Sequence, residues 1–176
     1  MSEKEEEFDI SKMDFAKILA DGLANTAEED ADVPADQINE TPKLETEKLN
    51  LHDTVKTSAE FVYRCWLNSR HHSLMTGGQA SFRAKEESDF SAWDQYIVGE
   101  ILELEESKRI LHSWRTDDFP VSHPNSEVEV LFKDVEGGCE VTINHTGIPI
   151  GQKLDYLEGW QDNYFAPMKE YFKKFR

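Results

Sequence analysis

Hydrophobic and polar positions alternate most clearly over Glu127-Val128-Glu129-Val130-Leu131-Phe132, which puts Val128, Val130 and Phe132 on one face of a strand. Gly137-Gly138 follows as a hairpin turn into a second strand over 139–143. Earlier alternation predicts strands over 46–55, 80–84, 90–93, 96–104 and 109–115, with Glu105-Glu106-Ser107-Lys108 turning the last two against each other. Consecutive hairpins imply a curved antiparallel sheet of about six or seven strands with one buried face.

Two stretches follow the helical period instead. Thr57-Ser58-Ala59-Glu60 reads as a capping box, and Phe61, Val62, Cys65 and Trp66 supply the apolar face of a helix over 58–68. His71 to Gly78 then reads as a short helical turn or loop closed by two glycines. A long helix over 153–175 closes the chain, with Leu154, Leu157, Trp160, Tyr164, Met168, Phe172 and Phe175 recurring every three or four residues. Pro167 has no amide proton to give and is expected to bend it. Strand, helix, several antiparallel strands and a terminal helix make an α+β domain, the last helix laid across the sheet.

Charge separates this domain from what precedes it. The chain has 176 residues and a formal net charge of −17, and its first fifty residues hold fifteen acidic against five basic side chains. All four tryptophans and all five tyrosines lie after residue 60, so the core is expected there. Residues 1–42 are expected to be an acidic, disordered tail, with 43–176 the folded domain. Within the tail, Phe15, Ile18, Leu19 and Leu23 suggest a short amphipathic helix, and 24–41 reads as a linker. So much negative charge argues against nucleic acid and anionic membranes as partners, because both recruit Lys and Arg.

No apolar run opens the chain, Ser2 stands where myristoylation needs glycine, and no stretch approaches the roughly 20 apolar residues of a membrane span. Cys65 and Cys139 form neither a disulfide framework nor a metal-ligand spacing. The Asn39 and Asn144 sequons read as chance matches, and a reducing cytoplasmic setting and a monomer are the expectation.

Four segments in order carry a resemblance. They are 93–104 (opening Trp93-Asp94-Gln95-Tyr96), 108–115, Asn144-His145-Thr146-Gly147-Ile148-Pro149, and 159–172 (opening Gly159-Trp160-Gln161-Asp162). Together they resemble the domain family named after the C-terminal half of the activator of Hsp90 ATPase, within the START/Bet v 1-like (SRPBCC) helix-grip superfamily. The Trp-Asp-x-Tyr and His-x-x-Leu-Met-Thr-Gly details are closest to its single-domain members. The resemblance implies a helix-grip fold and a non-enzymatic co-chaperone that binds Hsp90 and promotes its ATP-driven closure. The two-domain activators carry a large N-terminal domain that contacts the Hsp90 middle segment, whereas an acidic segment of about fifty residues precedes the shared domain here. START-like relatives also imply an alternative, a carrier or sensor of a small hydrophobic ligand or lipid.

Candidate chemistry is sparse, and neither a catalytic set, a metal site nor a cofactor is expected. Cys139 and His145 would stand on the order of 20 Å apart on one strand, at about 3.3 Å per residue. Cys65 beside Trp66 reads as a small buried hydrophobe, His71-His72 as exposed or helix-capping residues, and His112 as a hydrogen-bonded lining residue sharing a face with Trp114. Glu100 shares a face with Val98 and Leu102; if that face is inward its pKa rises, and if Ile97, Gly99 and Ile101 point inward it is surface charge, which is the expectation. Phe82, Trp93, Tyr96, Trp114, Phe132, Trp160, Tyr164, Met168 and Phe172 either line a ligand cavity between sheet and helix or fill it. Their bulk favours a filled or small cavity. Partner-contacting residues are not assigned beyond acidic surface side chains and the tail.

Overall fold

A computed structural model describes residues 44–175, and the expected tail, its amphipathic helix and the linker lie outside the described residues. The first strand, β1 (Thr46–Val55), alternates as its sequence does, with Leu49, Leu51 and Val55 buried. Two short helices follow, α1 (Ala59–Trp66) and α2 (Ser69–Thr76). The cap of α1 is Ser58, whose hydroxyl accepts the Phe61 amide at 3.3 Å, so the Thr57-to-Glu60 capping box is displaced by one residue. Glu60 instead pairs with Arg64 one turn on. Asn68 does not continue α1; its side chain caps α2 by accepting the His71 amide at 3.0 Å, and Gly77, at φ 89°, ends α2.

Five further strands complete the sheet: β2 (Ser88–Ala92), β3 (Ile97–Glu105), β4 (Arg109–Thr116), β5 (Ser126–Val135) and β6 (Gly138–Pro149). The order is β1-β6-β5-β4-β3-β2, antiparallel throughout, so the first strand closes against the last. The expected strand over 80–84 is reduced to a single bridge between Ser81 and Ser91. Two register breaks add curvature, one where β1 meets β6 around Gly147 at φ 73°, the other where β3 meets β4 after Ile101. A left-handed position at Gly147 avoids the strain that a side chain would incur there. Before the β3 break Ile97 and Ile101 are buried and Glu100 is exposed surface charge, and beyond it the half-buried positions are Leu102 and Leu104.

The terminal helix crosses the concave face in three parts, α3 (Lys153–Trp160), a wide π-helical turn (Gln161–Phe165) and α4 (Ala166–Phe172). A strict four-residue spacing drifts about 40° around a normal helix at each step, because 3.6 residues make a turn. Tyr156, Trp160, Tyr164, Met168 and Phe172 keep that spacing and are all buried, because the π turn absorbs the surplus residue. The Ala166 amide reaches back to the Gln161 carbonyl, and Pro167, which has no amide to offer, follows immediately. The bend expected at Pro167 thus takes the form of a widened turn. Leu154 and Phe175, expected in the stripe, are 68% and 50% exposed, and Tyr156 takes the inward place.

The start of α3 has no cap of its own from Gln152. Glu47 of β1 supplies one across the fold, its carboxylate accepting the Gly151 amide at 2.7 Å and the Lys153 amide at 3.3 Å. At the other end, His71 Nδ1 and the Tyr171 hydroxyl lie 2.6 Å apart and join α2 to α4.

Candidate functional site

Between the first half of the terminal helix and the ends of β3 and β4 lies a cleft of about 360 Å³. Its floor is built from buried Ile97, Trp114, Thr116, Tyr156, Trp160 and Tyr164. Its rim carries Tyr96, Asp118, Asp155 and Asn163, all exposed. Strand alternation puts Trp114 and Thr116 on the inner face of β4, and the four-residue helical repeat aims Tyr156, Trp160 and Tyr164 at them.

Trp93 enters from the β2–β3 turn, where Trp93, Asp94 and Gln95 have φ of 52°, 56° and 74°. Three successive left-handed residues without a glycine are costly, and such strain persists only when the surroundings over-determine it. Gly78 is one such constraint: a Cβ there would lie 2.7 Å from Trp93 Cδ2, so the indole occupies the space a side chain would take.

Polar groups brace one side of the cleft. The Tyr96 hydroxyl donates to the Asp118 carboxylate. Gln152 Nε2 donates to the Asp118 carbonyl at 2.8 Å, and its Oε1 accepts from the Tyr156 hydroxyl at 2.9 Å. Thr116 Oγ1 lies 2.7 Å from the same hydroxyl. Burial and the bond to Asp118 push the Tyr96 phenol up to about 12, and burial raises Tyr164 as well, so both are neutral donors at neutral pH.

The nine residues singled out as cavity candidates divide in two. Trp93, Tyr96, Trp114, Trp160 and Tyr164 line the cleft. Phe82, Phe132, Met168 and Phe172 pack into the core: Phe82 stacks on Phe90 with centroids 4.8 Å apart, Phe132 meets Tyr63 edge-on, and Phe172 meets Phe61. Tyr156, Asp118, Gln152 and Asp155 are lining residues that the sequence reading missed. Only Tyr156 left a trace, its four-residue spacing to Trp160 and Tyr164.

Four histidines among the described residues are buried: His72, His112, His123 and His145. His72 corrects the reading of an exposed or capping pair. Its ring is 1% exposed, tilted against Phe82 with Nδ1 2.8 Å from the Trp66 carbonyl, while His71 is half-buried. Burial lowers His72 and His112 to about 4 and His145 to about 3, leaving each neutral at neutral pH. His112 shares its face with Trp114, as the spacing predicts.

Cys139 and His145 do not form a thiol–base pair. Cys139 and His145 both point inward from one unbroken strand, so six residues separate them. Burial pushes the Cys65 and Cys139 thiols up to about 11, away from the thiolate form. Among the described residues, no group of three or more His, Cys, Asp or Glu is placed to hold a metal ion.

The arrangement of sheet and helix is shared with known structures. An Hsp90 activator from Plasmodium falciparum superposes with a TM-score of 0.59 at 20% identity, covering 68% of this chain and 90% of that one. A protein from Mesorhizobium loti gives 0.63 at 13% identity, covering 74% and 99%. These likenesses identify the helix-grip fold. In sequence, the human activator of 90 kDa heat shock protein ATPase homolog 1 is 29% identical over 130 residues, which are 74% of this chain and 38% of that protein. A Dictyostelium discoideum homolog of the activator is 28% identical over 137 residues, 76% of this chain and 36% of its own length. The chain therefore spans less than two-fifths of the length of these relatives. Residues 56–173, from the junction after β1 to the last turn of the terminal helix, match the family model for activator of Hsp90 ATPase homolog 1-like proteins, and the chain belongs to that family.

Proposed function

We propose that this protein is a non-enzymatic co-chaperone that binds Hsp90 and stimulates its ATPase. The observation that carries this reading is the family match over 56–173, whose relatives are named as activators of that ATPase. A binding protein accelerates ATP turnover only if it holds the closed form of its target more tightly than the open one, so the activity requires differential affinity rather than a catalytic group. A formal net charge of −17 favours encounter with a basic surface, which makes the complex salt-sensitive. Two free, buried cysteines are consistent with a reducing, cytoplasmic setting. The test is steady-state ATP hydrolysis by the cognate Hsp90 with and without the full chain, repeated with residues 1–43 removed. A raised rate that declines with ionic strength supports the proposal. An unchanged rate together with no complex in sedimentation overturns it.

The cleft supports a second reading, in which the same domain holds a small ligand under α3. Its volume of about 360 Å³ falls within the range of small-molecule sites, and its floor is aromatic.

A further inference from the structure

The composition of the cleft says more about a ligand than its size does. Thirteen residues line it, and six are aromatic, three tryptophans and three tyrosines. Two more, Asp118 and Asp155, are exposed carboxylates on the rim. None of the described lining residues is Lys, Arg or His. The carboxylate or phosphate head group of a lipid is met most strongly by a cationic side chain. This one offers the reverse: aromatic rings, phenol and carboxylate oxygens, and a chain of net negative charge.

The geometry points to a small organic cation bearing an alkylated ammonium as the ligand of this cleft, an inference that rests on the reading of the cleft as a ligand site and is independent of Hsp90. Methyl groups on nitrogen spread the positive charge over an apolar surface, which lets the cation shed water cheaply and lie against aromatic rings. Trp114 and Trp160 stand with centroids 4.9 Å apart, and Trp160 and Tyr164 stand 4.5 Å apart, so the floor is a continuous aromatic wall. Trp93 adds a further ring from the β2–β3 turn, held by Gly78 behind it. Asp155, on the first turn of α3, balances the charge of the bound group without itself being buried. Asp118 is oriented by the Tyr96 hydroxyl and remains an acceptor.

The experiment titrates the full chain with choline and with its neutral isostere 3,3-dimethylbutan-1-ol, read by calorimetry and by the fluorescence of the cleft tryptophans. Choline is expected to bind about tenfold or more tightly than the isostere, the gain that several cation–π contacts and a carboxylate give together. Asp155→Asn, which keeps the size of the side chain and removes its charge, is expected to lower the ratio of choline to isostere affinity severalfold, and an unchanged ratio would overturn the carboxylate's part in the inference. Equal binding of choline and the isostere would overturn the cation inference while sustaining the cleft as a ligand site. Binding of neither would remove both.

Discussion

Trp160 donates its indole N–H to Nδ1 of His145 at 3.3 Å, joining the terminal helix to the middle of the sheet. Because Nδ1 accepts, the neutral imidazole carries its proton on Nε2, which faces Ser126 Oγ at 2.8 Å. The Ser126 hydroxyl in turn donates to the Trp114 carbonyl at 3.1 Å. The side-chain polar atoms of Trp160, His145 and Ser126 all have partners, whereas the indole N–H of Trp114, also on the cleft floor, is buried without one.

Replacing His145 by Leu removes the middle of that series, leaving the Trp160 indole N–H buried without a partner and the Ser126 hydroxyl with only its bond to the Trp114 carbonyl. An unpartnered buried donor costs about 1–3 kcal/mol, and a loss of that order is expected in urea denaturation. A loss below about 1 kcal/mol would mean that the series does not fasten the helix to the sheet.

Acid should weaken the fold through the buried histidines before its carboxylates titrate. His72, His112 and His145 have ordinary pKa values of 6.5 that burial lowers to about 4, 4 and 3. Above pH 6.5 neither folded nor unfolded chain protonates them, and they contribute no pH dependence. As pH falls from 6.5 toward 4 the unfolded chain takes up protons that the folded chain refuses, so stability declines by up to about 1.4 kcal/mol per pH unit per histidine. Glu129, held below the usual carboxylate range by Arg109 and Asn144, loses its contribution only at lower pH. Denaturation midpoints between pH 7.5 and 5 should show the slope, and His112→Gln should reduce it.

Gly78→Ala drives a methyl to within 2.7 Å of the Trp93 ring. Relief requires the indole to move, so a loss of about 1–3 kcal/mol and altered tryptophan emission are expected. Gly77→Ala meets no atom and is strained only through its φ of 89°, which separates backbone cost from the Trp93 clash.

The half-buried Arg109 pairs with Glu129 and Glu103, each at 2.6 Å, and Glu129 also accepts from Asn144. Arg109→Met should cost about 1 kcal/mol, near the upper end for such pairs, whereas exposed Arg64→Ala should stay within about 0.5 kcal/mol. A double-mutant cycle with Glu129→Gln measures the coupling.

The strands were legible because one face of the sheet is buried, which imposes period-two alternation: β1 runs over the 46–55 expected, and Glu100 falls on the outer face. Segment 80–84 alternates too, but its pairing is with one residue only, and alternation does not record a missing partner. The terminal helix was legible in extent and not in facing, since a π turn alters the period on which a helical stripe is judged. Of the cleft, the aromatic residues stood out by type. Asp118, Gln152 and Asp155 did not, because a rim residue on a loop or first helical turn has the composition of ordinary surface. Burial of His72 followed from the short helix α2, whose cap at Asn68 lay inside the expected extent of α1.

Glu47 never touches the cleft, yet it fastens the turn from which Gln152 and Asp155 project. It sits on β1, at the opposite sheet margin from β2, so the outermost strand acts as a mooring for the near bank of the aromatic hollow. Slackening that mooring, by shortening Glu47 or by drawing a ligand onto the exposed margin of β1, would let the bank drift without altering any residue that faces the hollow.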